Sequence, residues 1–294
     1  MNKNHSNIYK VKQPGELLAF LIEHMPRLSR NAVKAILSRG EVTLDGRTVT
    51  AYNTLLQQGQ TVAILPKGQL AAKAALIGLT ILYEDDDILV IAKEAGLLSI
   101  ASAKETEATA YRQLSEHVRR DNPRSRIFIV HRLDRDTSGV MMFAKSEKVQ
   151  QQLQNTWHER VSERTYIALV EGQVKRSEGV IESWLKENKA LKMYSSRYPN
   201  DGQHAITHYK LLQACRDYSL LEVELETGRK NQIRVHMQDL GHPVAGDKKY
   251  GAKSNPIGRL GLHAKTLAFQ HPSSGEPMRF EAPAPKLFMR PFNR

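Results

Sequence analysis

A polar nonapeptide set between two strongly apolar runs limits what this chain can fold into more than any other feature. IFIV at 127–130 and VMMFAK at 140–145 read as buried strands. Between them, His131-Arg132-Leu133-Asp134-Arg135-Asp136-Thr137-Ser138-Gly139 holds seven polar or charged residues, one leucine and one glycine. Such a segment cannot be buried without partners for its polar groups, so it either closes a satisfied turn or faces a cleft. A tight turn in which Asp136 and Ser138 serve local backbone donors meets the first condition. A cleft offering Asp, Arg, Thr and Ser side chains meets the second.

The surrounding pattern sets the fold class. From residue 80 onward, ILY and ILVIA flank an acidic turn in ILYEDDDILVIAK, and RTYIALVEG is a further buried strand. SLLEVELET alternates, with Leu221, Val223 and Leu225 on one face and Glu222, Glu224 and Glu226 on the other, a strand with one wet face. Helices are fewer: about 107–120, about 146–158, and NQIRVHMQDL, where Ile233, Met237 and Leu240 share a face before Gly241. Strands with interspersed helices and no Gly-rich phosphate fingerprint predict an α+β domain over 80–294.

Charge supplies the partner class. The chain has 43 Lys and Arg against 31 Asp and Glu, a net charge of +12, and a pI near 9.7, which suits a polyanion such as nucleic acid. Residues 1–70 carry nine basic and four acidic residues, so +5 of the +12 falls in less than a quarter of the length. Mean hydropathy is −0.47 and apolar runs such as 88–92 are far shorter than the ~20 residues of a membrane helix. The polar N-terminus has no secretory apolar core, and the lone Cys215 can form neither an internal disulfide nor a cysteine zinc site. A cytoplasmic protein without membrane contact is expected.

The basic front section reads as a small unit at 13–65, followed by a linker at 66–79 that opens with Pro-Lys-Gly. Leu17, Leu18, Leu21 and Ile22 predict a short helix. Ser29 is a plausible N-cap for a second, with Val33, Ile36 and Leu37 on its apolar side and Gly40 as its stop. EVTLDGRTV reads as a hairpin turning at Asp45-Gly46. At helical spacing, Arg27, Arg30 and Lys34 form one basic edge. Two short helices and a hairpin in SRNAVKAILSRGEVTLDGR, closed by GQTVAIL, resemble the S4 RNA-binding module over about 50 residues.

HRLDRDTSG resembles the catalytic motif of the RluA-type RNA pseudouridine synthases. Further blocks are similar in order: ILYEDDDILVIAKEAGLLS at 81–99, RTYIALVEG at 164–172, TGRKNQIRVHMQDLGHPVAGDKKYG at 227–251 and LHAKTLAFQHP at 262–272. The resemblance spans most of 80–285 and implies a catalytic domain on a mixed, largely antiparallel sheet, for which an S4-like unit in front is a common companion. Two departures are Glu94 where the family usually has Pro and Asn231 where it usually has His.

The resemblance implies conversion of uridine to pseudouridine: the N1–C1′ bond breaks, the uracil rotates, and a C5–C1′ bond forms. Without net redox change or group transfer, no cofactor or metal is required. One ionised carboxylate is sufficient for the first half, as in glycosidic cleavage, and by position it is Asp134. Arg234 matches the family arginine paired with it, and a neighbouring guanidinium favours the ionised form. Tyr166 matches the tyrosine that contacts the base and is the candidate for handling the C5 proton. Strand alternation with Ala168 and Val170 alone favours core packing for it. Arg132 matches the arginine that fills the space left by the flipped nucleotide, with a phosphate contact as the alternative. His131, Asp136, Arg229 and His236 are assigned to hydrogen bonding and orientation.

Two rival readings exist. Asp134-Arg135-Asp136-Thr137-Ser138 superficially resembles the DxDxT motif of Mg²⁺-dependent phosphatases, but three residues separate Asp134 from the preceding strand and the fifth residue is Ser. A non-catalytic RNA-binding relative would be expected to lose Asp134, Tyr166 or Arg234, and all three are present. The expected partner is structured RNA, ribosomal in preference to transfer RNA, bound by a monomer.

Overall fold

The computed structural model describes residues 7–38, 40–65, 76–101 and 109–293, which divide into two compact units, Met1–Ala75 and Leu76–Arg294. Residues 66–75 of the expected linker lie outside the described residues. Its last residue, Leu79, already belongs to the first strand of the large unit.

In the small unit, helices Leu17–His24 and Arg30–Ser38 pack on a four-stranded sheet in the order Asn7–Lys10, Thr61–Ile64, Val42–Leu44, Arg47–Thr48. Leu17, Leu21, Val33, Leu37, Val42 and Val62 form its core. The second helix starts where Ser29 Oγ accepts from Ala32 N at 3.3 Å and stops at Gly40, φ +72°. The hairpin turns through Asp45 and Gly46, both with positive φ, as a two-residue Asp-Gly loop requires. Two expectations need correction. The Asn7–Lys10 strand pairs with Thr61–Ile64, so the unit starts before residue 13. Arg27 lies in the turn ahead of the second helix, so the exposed Arg27, Arg30 and Lys34 do not share one helix.

The large unit is built on one long mixed sheet. Its strand order is Met193–Ser196, Glu178–Glu187, Gln203–Ala214, Tyr218–Leu225, Val161–Glu171, Leu262–Gln270, Ser138–Ala144, Ile88–Lys93, Leu79–Glu84. Every pairing is antiparallel except that of Ser138–Ala144 with Leu262–Gln270, which is parallel and only two residue pairs long. Beyond it, Phe128–Ile129 takes over the free edge of Ser138–Ala144, and Pro277–Glu281 that of Leu262–Gln270.

Several elements differ from the sequence reading. IFIV pairs only through Phe128–Ile129, and the helix expected at 146–158 is split into Glu147–Asn155 and Trp157–Arg160. The first large-unit helix is Ala110–Asp121, N-capped by Thr109; the expected start at 107–108 lies outside the described residues. Among the described residues no helix is long and apolar enough to cross a membrane.

The register sets one row of residues across this sheet: Tyr209, Val223, Tyr166, Ala264, Gly139, Lys93, Leu79. Paired residues project to the same face. On that face, helix Ala110–Asp121 covers one apolar cluster through Ala110, Leu114 and Val118, and helix Gln232–Asp239 covers another through Ile233 and Met237. Tyr166 packs against both clusters. Between Lys93 and Tyr166 the row contains only Gly139 and Ala264, so the sheet there is nearly bare. On the opposite face Val149 and Leu153 of the Glu147–Asn155 helix cover Ile88, Val90, Val140 and Met142.

Gly139 is required where the parallel strands meet. Its φ is +116°, and a Cβ there would stand 2.0 Å from the Ala264 carbonyl oxygen, in backbone that cannot move aside. Gly96, at φ +90°, has open space around it. Gly96→Ala should therefore cost only the left-handed conformational penalty, about 1–2 kcal/mol. Gly139→Ala should cost more than about 3 kcal/mol by adding overpacking. Urea unfolding of the two variants tests this; equal losses would show that the contact with Ala264 is not limiting.

Candidate active site

The nonapeptide is fastened carbonyl by carbonyl. Leu133 O accepts from Ser99 Oγ at 2.7 Å and Asp134 O from Thr137 N at 3.2 Å. Arg135 O accepts from both Gly96 N (2.9 Å) and Lys93 Nζ (3.0 Å), and Asp136 O from Arg259 Nη2 (3.3 Å). Leu133, the segment's one apolar side chain, is buried in the cluster under the Ala110–Asp121 helix. His131 Nε2 accepts from Met142 N at 3.1 Å, between the Ser138–Ala144 residues that pair with Leu262–Gln270 and those that pair with Phe128–Ile129. Both conditions set by the sequence are thus met: the backbone is a satisfied turn, and Asp134 remains partly open.

Lys93 is the buried anchor of this turn. Its ammonium donates to the carbonyls of Glu94, Leu97 and Arg135 at 2.7–3.0 Å. Burial pulls its pKa down to about 8, with Asp136 and Asp134 opposing that shift and Arg259 adding to it. Nothing in the sequence marked Lys93 apart from its position at the end of an apolar strand before a turn.

Asp134 meets the other half of the site through helix Gln232–Asp239. Its Oδ2 accepts from Arg234 Nη1 at 2.9 Å and from Asn231 Nδ2 at 2.6 Å. Its Oδ1 accepts no hydrogen bond among the described residues. Arg234 turns its remaining edge to Asp247, Nε to Oδ2 at 2.6 Å and Nη2 to Oδ1 at 2.9 Å, and lies 4.8 Å over the Tyr250 ring. Burial works against its charge, but the hydrogen bonds and charges of Asp247 and then Asp134 outweigh that and hold its pKa above the ordinary value. Asp247 is 1% exposed and Asp134 30%. One cation is thus shared by two carboxylates, with the bidentate pair on the buried one.

The start of this helix is prepared with similar care. Asn231 adopts the left-handed conformation (φ 54°), and its Oδ1 accepts from Tyr250 Oη at 3.1 Å. Gln232, buried, accepts from Thr227 Oγ1 and Arg229 N and donates to Ile206 O and Thr207 Oγ1. His236 bridges Ser183 Oγ (2.9 Å) and Thr207 Oγ1 (2.8 Å), tying the helix to two strands. Arg229 Nε donates to His204 O. These polar residues therefore orient the helix, as expected for Arg229 and His236.

Of the expected site residues, Asp134 and Arg234 are in contact. Tyr166 is half-buried, its hydroxyl without a hydrogen bond among the described residues. Burial raises its pKa, Arg164 opposes, and Asp134 adds to the rise. Arg132 is exposed and has no ion pair or hydrogen bond among the described residues. Arg27, Arg30 and Lys34 belong to the small unit, where Lys34 Nζ lies 5.2 Å over the exposed Tyr52 ring. Asp247, Tyr250 and Lys93 went unrecognised in the sequence, and Asn231 was noted only as a departure from a pattern. Among the described residues no group of three or more His, Cys, Asp or Glu is arranged to hold a metal.

Buried histidines give the site an acid limit. Burial pulls His236 to about 4, and burial together with Arg164 pulls His131 to about 3. Below the ordinary value of 6.5 the unfolded chain binds protons that the folded one does not, so stability falls as pH drops from about 6.5 towards 4. Each histidine contributes a slope of up to about 1.4 kcal/mol per pH unit. Urea melts across this range should show the decline, and His236→Gln should flatten it; a level wild-type profile would contradict the neutral assignment.

Comparison with known proteins gives a consistent outcome. The family model for RNA pseudouridylate synthase matches residues 87–239. The RNA pseudouridine synthase YlyB of Bacillus subtilis, itself uncharacterized, is 36% identical over 264 residues, covering 88% of this chain and 86% of its own. The ribosomal large subunit pseudouridine synthase D of Xanthomonas campestris is 36% identical over 288 residues, covering 92% and 86%. Among solved structures, human RNA pseudouridylate synthase domain containing 1 aligns with a TM-score of 0.55 at 27% identity, over 70% of this chain and 83% of its own.

Proposed function

Because the chain belongs to the RNA pseudouridine synthase family, and so isomerises uridine to pseudouridine in RNA, we propose that Asp134 is the nucleophile of that reaction. The observation that carries this reading is the asymmetry of its carboxylate. Oδ2 is held by Arg234 and Asn231, while Oδ1 is left free to approach C1′. Holding one oxygen fixes the approach of the other, and the four fastened carbonyls keep the backbone from drifting. Asp247 takes two of the hydrogen bonds of Arg234 and Asp134 only one, so the guanidinium is not spent on Asp134 alone.

Tyr166 faces the same bare stretch of sheet, and we assign it contact with the uracil and transfer of the C5 proton. Arg132, exposed and unpaired among the described residues, contacts the RNA, either in the space of the flipped nucleotide or at a phosphate. The target we propose is structured ribosomal RNA, which agrees with the large subunit function in the name of relatives such as the Xanthomonas campestris protein.

The small unit is read as an S4-like RNA-binding domain. Its two helices and hairpin, and the exposed Arg27, Arg30 and Lys34, support that reading. Phosphate contacts there supply affinity without sequence choice and leave the chemistry to the large unit.

Asp134→Asn should fold and bind RNA normally yet lose at least about a thousandfold in rate, roughly 4 kcal/mol of barrier. Tritium release from C5-labelled uridine RNA measures it, and near-normal release would refute the assignment. Replacing Arg27, Arg30 and Lys34 together by Gln should make the slope of log K against log salt shallower by up to about 2–3 while the saturated rate is kept. An unchanged slope would remove the small unit's basic residues from RNA binding.

A further inference from the structure

Arg164 stands two residues before Tyr166 on the Val161–Glu171 strand, so the two side chains leave the same face. Its guanidinium is half-buried under the loop that leads to Asn231. Nη2 donates to the Leu225 and Glu226 carbonyls at 2.9 and 2.5 Å, and a Cβ on Gly228 would stand 2.8 Å from Nη1. Unlike Arg234 and Arg279, each paired with two carboxylates, Arg164 forms no ion pair among the described residues. Withdrawing a guanidinium from water with only carbonyls for partners works against its charge. A cation kept there despite this has a use for its charge.

The groups that face it narrow the use. Tyr166 shares its strand face, His131 of the nonapeptide and Arg229 of the 226–231 loop lie within reach of its charge, and the charge of Asp134 acts on Tyr166. His131 is neutral, Asp134 is engaged by Arg234, and Arg229 adds positive charge. Only Tyr166 can become the anion that Arg164 lacks.

We propose that Arg164 is the counterion for a phenolate formed on Tyr166 during the second half of the reaction. The inference rests on the reading of Tyr166 as the residue that moves the C5 proton. When N1–C1′ breaks, its electron pair stays on the uracil. Asp134 Oδ1 bonds C1′ as N1 leaves. When C5–C1′ forms, the uracil's pair makes the new bond and the C1′–Oδ1 bond breaks, its pair returning to the carboxylate. This leaves a ring with an N1=C6 double bond and a hydrogen still on C5. N1 and C5 both adjoin C6, so one hydroxyl can serve both. Tyr166 gives its proton to N1 and becomes a phenolate beside a cationic ring. The phenolate then takes the C5 proton, the C–H electron pair restores C5=C6, and Tyr166 is neutral again. Arg164 stabilises the phenolate between these two transfers, where burial alone opposes it.

The test is single-turnover kinetics at saturating protein, with deuterium or hydrogen at C5 of the target uridine, on the wild type, Arg164→Lys, Arg164→Gln and Tyr166→Phe. Thermal unfolding and RNA affinity are measured alongside. Arg164→Gln should be at least about tenfold slower, with a C5 isotope effect larger than the wild type's, because proton removal becomes limiting. Arg164→Lys should recover most of the rate and lose the added isotope effect. A slow Arg164→Gln with an unchanged isotope effect would mean that the guanidinium only braces the 226–231 loop. Weaker RNA binding with an unchanged saturated rate would mean a phosphate contact, and either result overturns the inference. Wild-type turnover by Tyr166→Phe would remove the Tyr166 reading and this inference together. An inactive Tyr166→Phe beside an unimpaired Arg164→Gln would remove this inference alone.

Discussion

The large unit depends on the sharing of one guanidinium between two carboxylates. Arg234 gives two parallel hydrogen bonds to the buried Asp247 and one to the partly open Asp134. Removing one member of a buried pair typically costs 3–5 kcal/mol, because the partner's charge is left uncompensated. Asp247 therefore makes it possible for Arg234 to sit where it does, whatever Asp134 is doing. The same arrangement fixes the charge count: one cation and two anions leave a surplus negative charge, and the surplus lies on the exposed side. A carboxylate paired one to one with a buried arginine would be held as firmly but would be less available.

The rest of the architecture brings the two halves of that contact together. Asp134 comes from a turn held by Lys93, Gly96 and Ser99 of one short stretch and by the distant Arg259. Arg234 comes from a helix tied to the sheet by His236 and Gln232. In the sheet, Gly139 and Ala264 are the only residues of the row between Lys93, which holds the turn, and Tyr166. A parallel pairing only two residues long, inside an otherwise antiparallel sheet, creates that bare stretch. It frees strand edges on both sides, and His131 takes up one backbone donor in between.

Much of this was legible in the sequence where chemistry and periodicity coincide. The nonapeptide stood out because a polar run between buried strands has few explanations, and Ser29, Asp45-Gly46 and Gly40 marked their helix and turn through local stereochemistry. The strands Glu178–Glu187 and Gln203–Ala214 went unread because polar residues such as Ser183 and Thr207 occupy part of their buried face, so no clean apolar alternation results. Val180 is 60% exposed there, and His204 and His208 pair with glutamates where apolar residues would have marked a face. Asp247, Tyr250 and Lys93 escaped for a different reason. Each earns its place through a partner 13 to 42 residues away, and such a contact leaves no period in the sequence. Arg27 was misplaced because three basic residues at helical spacing look alike whether or not the helix has begun.

A mutant cycle on Asp247 and Arg234, read as the single-turnover rate at saturating RNA, tests most directly whether Asp134 is prepared through this shared cation. If Asp247 acts only by positioning Arg234, then Asp247→Asn alone slows the reaction by about tenfold or more, close to 1.4 kcal/mol. The double variant with Arg234→Gln is then no slower than Arg234→Gln alone. Independent effects that multiply in the double variant would contradict the account, because Asp247 would then act on the reaction by a route that does not pass through Arg234.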